Sequence, residues 1–119
     1  MFELADMKVW QKARLLCVEA YRISGMFPPK ERFRLTDQIC RAGISVVNNI
    51  AEGFGRGGGK DFAYHLRVAR GSVGEVRTCG VVACDLKYVS FADIGVLDGL
   101  GLETYKMLTA LLKNVGGLT

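Results

Sequence analysis

The chain has 119 residues, of which half are hydrophobic and 24% are charged, and its formal net charge is +4. This length suits a single domain, residues 1–119, and the composition is that of a globular protein rather than a disordered one. No stretch approaches the ~20 apolar residues of a transmembrane helix, and the mixed, acidic N-terminus does not resemble a secretory signal. We therefore expect no membrane association and a cytoplasmic location.

Apolar residues recur at helical spacing in four segments, residues 7–24, 31–52, 60–88 and 92–115. No segment shows the sustained two-residue alternation of a strand, and the connections are short. These features predict an all-α protein that folds as an antiparallel up-down-up-down four-helix bundle. The apolar stripes expected to form its core include Val9, Ala13, Leu16, Ala20 and Ile23, then Leu35, Ile39, Ala42, Val46 and Ile50, then Leu66, Ala69, Val73 and Val76, and finally Ile94, Leu97, Leu108 and Leu111.

Cysteine and histidine are the residues most relevant to metal binding. The four cysteines form no C-x-x-C pair, so a zinc site would need at least three cysteines from separate segments to converge. We interpret them as reduced, small apolar residues, in keeping with a cytoplasmic location. No metal and no cofactor is expected. The residues concerned are Cys17, Cys40, Cys79, Cys84 and His65.

The segment AEGFGRGGGKDF, residues 51–62, contains five glycines and raises the question of a nucleotide site. A dinucleotide-binding glycine loop follows a strand, whereas a helix precedes this one. A phosphate-binding Walker loop needs a glycine where this chain has Phe54, and Ser or Thr where it has Asp61. We therefore expect the glycines to end the second helix, to permit positive φ angles and to begin the third helix.

A polar stripe runs beside the apolar stripe of the second helix. A solvated outer face is one interpretation. The stripe lacks lysine, however, and its Arg, Asn, Ser and Glu side chains are suited to specific paired hydrogen bonds. The alternative is a partly buried network, within the subunit or across an interface, that also includes residues of the third helix. The predicted network residues are Arg41, Ser45, Asn48, Asn49, Glu52, Ser72 and Glu75.

Two glycines inside the third helix, Gly71 and Gly74, also need an explanation. Each costs about 1 kcal/mol of helix propensity relative to alanine. Such a cost predicts the close approach of another backbone.

Basic residues are concentrated in the middle of the chain. Residues 30–77 contain nine basic and five acidic residues, whereas residues 91–119 contain two basic and three acidic ones. A basic surface predicts contact with the phosphates of nucleic acid, and a merely solubilising surface is the alternative. The predicted nucleic-acid-binding residues are Arg56, Lys60, Arg67, Arg70 and Arg77.

Catalytic signals are weak. His65 has no cysteine or serine partner at a diagnostic spacing and lies at the edge of an apolar face. Glu52 and Glu75 could act as an acid–base pair in a hydrolase, but the nearby arginines favour ion pairing instead. We therefore predict that the protein is not an enzyme.

Five segments together resemble one family. They are LADMKVWQKA (4–13), FPPKE (27–31), LTDQICRA (35–42), SVVNNIAEG (45–53) and LRVARGSVGE (66–75). In order and spacing they resemble the 23S rRNA intervening-sequence protein family, also called the four-helix bundle protein family. Its members include the accessory variability proteins of diversity-generating retroelements.

The resemblance implies properties that composition and spacing do not. It implies a ring-like homopentamer, and it implies no enzymatic activity. By the example of the retroelement members, it implies binding to RNA or DNA and to a reverse transcriptase. The function predicted from the sequence is thus a non-catalytic homo-oligomer that binds nucleic acid through a basic surface. The alternative is a structural or protein-interaction scaffold that does not bind nucleic acid.

Overall fold

The computed structural model describes residues 1–57 and 59–115. It contains four α-helices: α1 (Lys8–Ser24), α2 (Leu35–Gly55), α3 (Gly59–Asp85) and α4 (Gly95–Asn114). Short 3₁₀ turns precede α1 and α2. No strand occurs within the described residues, so the prediction of an all-α chain with four helices is confirmed.

The four helices pack side by side in the order in which they occur in the chain. Each helix contacts the one before it, and α4 also contacts α1. Neighbouring helices run antiparallel: the end of α1 meets the start of α2 where Ser24 Oγ lies 3.4 Å from Cys40 Sγ. This arrangement fits an up-down-up-down bundle. None of the described helices is long and apolar enough to cross a membrane.

The core lies where the four apolar stripes meet. Side chains from all four helices, Leu16, Ile50, Leu66 and Leu108 among them, are fully buried. Trp10 packs at the edge of this core, partly buried, and the guanidinium of Arg14 covers its ring. The predicted stripes therefore supply the residues that hold the bundle together through apolar burial.

Helix α2 begins at Leu35, four residues later than predicted. Glu31 lies before the helix, and its side chain caps the first turn. The Glu31 carboxylate accepts a hydrogen bond from the Leu35 backbone N–H at 3.1 Å. The backbone of Arg34, with φ −124° and ψ −109°, is not helical. The first turn of α2 is thus stabilised by a side chain that sequence periodicity assigned to the helix itself.

The link between α3 and α4 is longer than predicted at both ends. Lys87 adopts a left-handed conformation, with φ +68°, and α3 has already ended at Asp85 rather than at residue 88. Helix α4 begins at Gly95 rather than at residue 92. Before it, Asp93 Oδ2 accepts from Ser90 N–H at 2.8 Å, and Ser90 Oγ accepts from Asp93 N–H at 3.1 Å. These reciprocal hydrogen bonds hold the link in a turn.

The glycine-rich link joins two helices directly. Helix α2 continues to Gly55 and α3 begins at Gly59. Gly57 and Gly59 have φ angles of +83° and +70°, which only glycine adopts without strain. The prediction of a helix-to-helix turn is confirmed, and no strand leads into the segment. Gly58 lies outside the described residues.

Other glycines allow close helix packing, but not the two that were predicted to do so. A Cβ atom built on Gly53 would lie 2.9 Å from Phe62 Cδ1, so α2 and α3 come close at this position. Gly43 and Gly80 similarly face α1 and α4. A Cβ atom on Gly71 or Gly74 would meet no atom of the chain within 4 Å. The predicted close approach at Gly71 and Gly74 is therefore wrong within the subunit.

Replacing Tyr88 with phenylalanine is expected to destabilise the protein at neutral pH and much less in acid. Tyr88 donates a hydrogen bond to Glu31 Oε2 at 2.7 Å, and this bond lowers the pKa of Glu31 below its usual value. A carboxyl whose pKa is lowered by folding contributes stability above its unfolded pKa and loses it as the pH falls through the folded pKa.

Urea unfolding at pH 7 and pH 3 measures the effect. The stability difference between wild type and Tyr88→Phe should be smaller at the lower pH, because acid favours the protonated form of Glu31 and so removes the charged acceptor of the Tyr88 hydrogen bond. Tyr64→Phe, at an exposed tyrosine, should change little at either pH. An equal loss from Tyr88→Phe at both pH values would contradict this account.

Candidate nucleic-acid interface

A chain of polar side chains connects α2 and α3 beneath the surface. Ser45 Oγ and Ser72 Oγ lie 2.8 Å apart. Asn49 Nδ2 donates to the Ser45 carbonyl at 2.9 Å and contacts Ser45 Oγ at 3.1 Å. Asn49 Oδ1 lies 3.0 Å from Nδ1 of His65. These contacts satisfy partly buried polar groups and fix the register of the two helices.

His65 was not among the predicted network residues, although it closes this chain. Its spacing from Asn49 is 16 residues, so nothing local in the sequence connects the two. The antiparallel pairing of α2 and α3 brings them together. Because one ring nitrogen is held by an amide, and Ser45 contacts another serine, these contacts do not form the serine–histidine pair of a nucleophilic site.

The other predicted network residues lie on the outside. Arg41 is exposed and 4.0 Å from Asp37 Oδ2, and Asn48 is also exposed. Glu52 Oε2 accepts from Arg56 Nε at 2.9 Å. Glu75 Oε2 is 3.5 Å from Gln38 Nε2. The polar stripe is thus divided into an interior part around Ser45 and an exterior part.

Glu52 and Glu75 are far apart along the bundle. Gly53, next to Glu52, faces Phe62 of α3, and Glu75 lies 13 residues further along that helix. At ~1.5 Å per residue this is about 20 Å. Carboxylates that act together on one bond are ~5–9.5 Å apart. The separation does not favour the hydrolase alternative.

Three of the five predicted phosphate-binding cations have partners within the chain. Arg56 pairs with Glu52, which raises the pKa of its guanidinium. Arg77 Nε donates to Asp98 Oδ1 of α4 at 2.9 Å. Arg70 donates to Thr109 Oγ1 of α4 at 3.2 Å.

The other two predicted cations, Lys60 and Arg67, are both exposed. Within the part of the chain that the structure describes, neither enters an ion pair. Together with Arg70, whose hydrogen-bond partner Thr109 is neutral, they are the predicted cations that no carboxylate of the described residues compensates.

Helix α4 adds two cations that sequence reasoning missed. Lys106 and Lys113 are exposed and line an open groove along α4. Thr109 and Tyr105 line the same groove, and both contact Arg70 of α3. Arg67 is one turn along α3 from Arg70. We call Arg67, Arg70, Lys106 and Lys113 together the α3/α4 basic surface.

The sequence did not reveal this surface because residues 91–119 contain more acidic than basic residues. The three acidic residues of this segment are engaged elsewhere. Asp93 accepts from Ser90 in the link before α4, Asp98 pairs with Arg77, and Glu103 pairs with Lys12 of α1. Among the described residues that line the α4 groove, none is acidic. The sequence did predict that α3 and α4 pack antiparallel. That prediction could have been used to place Lys106 and Lys113 near Arg70.

Comparison with known families gives a match that covers most of the chain. The family model of the 23S rRNA-intervening sequence protein matches residues 5–110. The chain belongs to this family. A comparison with curated proteins found no match. The matched residues include all of α1, α2 and α3 and most of α4. Both sides of the α3/α4 basic surface thus lie largely inside the family region.

Proposed function

We propose that this protein is a cytoplasmic, non-catalytic homo-oligomer that binds RNA or DNA through phosphate contacts. The observation that carries the proposal is that Lys106 and Lys113 line a groove without acidic lining residues, while Arg70 of the adjacent α3 bonds Thr109 in that groove and Arg67 lies one turn from Arg70. Such a surface attracts polyanions and releases counterions when it binds them. Lys60 adds an exposed cation near the start of α3, whereas Arg56, in the link before α3, and Arg77 are each paired with a carboxylate.

Self-association is the second part of the proposal, with the homopentamer implied by the family resemblance as the expected assembly. The outer face of α3 between residues 71 and 82 supports it. Gly71, Thr78, Val81 and Val82 are exposed there, and Gly74 is partly exposed. The face combines exposed apolar side chains with two glycines that have no packing role inside the subunit. A second copy packed against this face would explain both features.

A scaffold that does not bind nucleic acid is the second candidate. The pairing of Arg56 with Glu52 and of Arg77 with Asp98 favours it, because cations paired with carboxylates contribute less to an external field. A reverse transcriptase or another protein would then be the partner. The two candidates differ in whether the protein binds polyanions at all.

Replacing Arg67 with glutamate is expected to weaken nucleic-acid binding and to leave assembly intact. Arg67 is exposed, has no partner among the described residues, and belongs to the α3/α4 basic surface. Losing one phosphate contact should reduce the slope of log affinity against log salt by about 1, with affinity falling roughly tenfold at low salt. Filter binding across a salt series measures both quantities.

Arg32→Glu is the matched control, since Arg32 is exposed and lies in the link before α2, at the other end of the bundle. It makes the same change in net charge. If both variants weaken binding equally, only net charge matters and the assigned surface is wrong. If the wild type retains neither RNA nor DNA at low salt, the scaffold alternative replaces the nucleic-acid proposal. Loss of assembly in Arg67→Glu would place Arg67 in a subunit contact instead.

A further inference from the structure

Tyr105 of α4 is an exposed aromatic side chain in the middle of the α3/α4 basic surface. Its side chain is 40% exposed, and the guanidinium of Arg70 lies 5.6 Å from the ring centroid. Arg70 is itself held by its hydrogen bond to Thr109 Oγ1. Thr109 thus holds Arg70, and Arg70 holds the Tyr105 ring at the surface. A ring that is already held loses less conformational entropy when a ligand stacks on it.

The groove beside Tyr105 has the size and lining of a site for a flat ligand with negative charges. Its volume is about 410 Å³. Tyr105 and Ala110 supply aromatic and apolar lining, Thr109 supplies the hydroxyl that accepts from Arg70, and Lys106 and Lys113 lie one on each side of Thr109 along α4. The two lysines are seven residues apart, or about 10 Å at ~1.5 Å per residue. An apolar and aromatic lining between two cations suits a base flanked by phosphates.

We propose that this groove binds single-stranded nucleic acid, with one base stacked on Tyr105 and the flanking phosphates on Lys106, Lys113 and Arg67. The inference rests on the proposed function and deepens it. Base stacking on aromatic side chains is the mode by which single strands are bound without sequence readout. In a duplex the base faces are stacked on one another, so a duplex could use the cations of this surface but not Tyr105.

A second copy of the chain is the other possible occupant of the groove. The like charges of the α3/α4 basic surface argue against a two-fold contact, which would bring the same cations of two subunits together. No acidic residue among the described lining residues offsets this repulsion. In a ring a different face of the next subunit would meet the groove, and that face would have to be acidic to match the cations. Nucleic acid supplies the opposite charge, so charge complementarity favours the strand.

Fluorescence anisotropy with labelled 12-nucleotide probes tests the inference. The probes are oligo(U) RNA, oligo(dT) DNA and a mixed-sequence DNA duplex of equal length. Tyr105→Ala should weaken both single-strand affinities by about tenfold or more, while Tyr105→Phe keeps the ring and should stay near wild type. Affinity for the duplex should change less than about twofold. Tyr21→Ala is the matched control at an exposed tyrosine on α1.

The outcomes distinguish this inference from the function on which it rests. If Tyr105→Ala leaves single-strand affinity unchanged, or weakens duplex binding equally, stacking is refuted while salt-dependent polyanion binding still stands. If the wild type binds no probe at low salt, both proposals fail. If Lys106→Ala or Lys113→Ala lowers the native mass, the groove is a subunit contact and the strand assignment is overturned. Reduced salt slopes at unchanged mass would support it.

Discussion

Replacing Gly53 with alanine is expected to lower the free energy of unfolding by up to about 2 kcal/mol. The new Cβ would lie 2.9 Å from Phe62 Cδ1 and 3.0 Å from His65 Cβ, both shorter than an ordinary carbon contact. Overpacking of a tight contact costs about 1–3 kcal/mol, from which the helix-propensity gain of up to ~1 kcal/mol is subtracted. The His65 Cβ belongs to the rigid base of its side chain, so α3 itself must shift.

Gly55→Ala provides the matched control for this prediction. Gly55 lies in the same last turn of α2, and a Cβ atom there meets nothing within 4 Å. Its substitution should therefore be neutral or stabilising by up to ~1 kcal/mol. Urea or thermal unfolding of both variants measures the difference. Equal stability of Gly53→Ala and Gly55→Ala would show that α2 and α3 are not in close contact at Gly53.

Replacing both Gly71 and Gly74 with alanine is expected to separate assembly from stability. Inside one subunit the two positions are open, so each alanine should add up to ~1 kcal/mol of helix stability. If a second copy packs against this face, the two methyl groups would hold the helices apart and reduce close packing. We expect a smaller native mass in a protein whose subunit fold is more stable.

Gly99→Ala gives the comparison on α4, where a Cβ atom also meets nothing within 4 Å. It should raise helix propensity and leave the native mass unchanged. Size-exclusion chromatography with light scattering reports the mass, and thermal unfolding of the separated species reports the stability. A double variant at Gly71 and Gly74 that keeps the wild-type mass would remove α3 from the proposed subunit contact.

The helices and their buried faces could be predicted from the sequence because each depends on a local period. The apolar residues of α1, for example, recur at three- and four-residue steps, and Ala13, Leu16, Ala20 and Ile23 are fully buried. The helix ends were less predictable. The start of α2 depends on Glu31 reaching Leu35 while Tyr88 holds its other oxygen, and Tyr88 is 57 residues away. No local pattern carries that information.

The glycines show the same limit. Sequence identifies a glycine inside a helix but not the direction in which it faces. Gly53 faces α3, whereas Gly71 faces away from its own subunit. The two would be assigned correctly only with the register of α2 against α3, which the contacts Ser45–Ser72 and Asn49–His65 fix.

The candidate interface was predictable in part. Arg67 and Lys60 are exposed as expected of binding residues, but the partners of Arg70 and Arg77 come from α4 and could not be inferred from spacing within α3. Counting charge by segment also hid the lysines of α4. Charges act through space, so the relevant sum is over a surface and not over a stretch of sequence.

The central claim is that this protein is an oligomer whose basic surface binds nucleic acid. Light scattering after size exclusion, with and without a 12-nucleotide single strand at low salt, tests both parts together. The account predicts a mass of several subunits, five by the family resemblance, that increases by the mass of bound strand and loses that increase at high salt. A single-subunit mass of 13.0 kDa that does not change when the strand is added would contradict it.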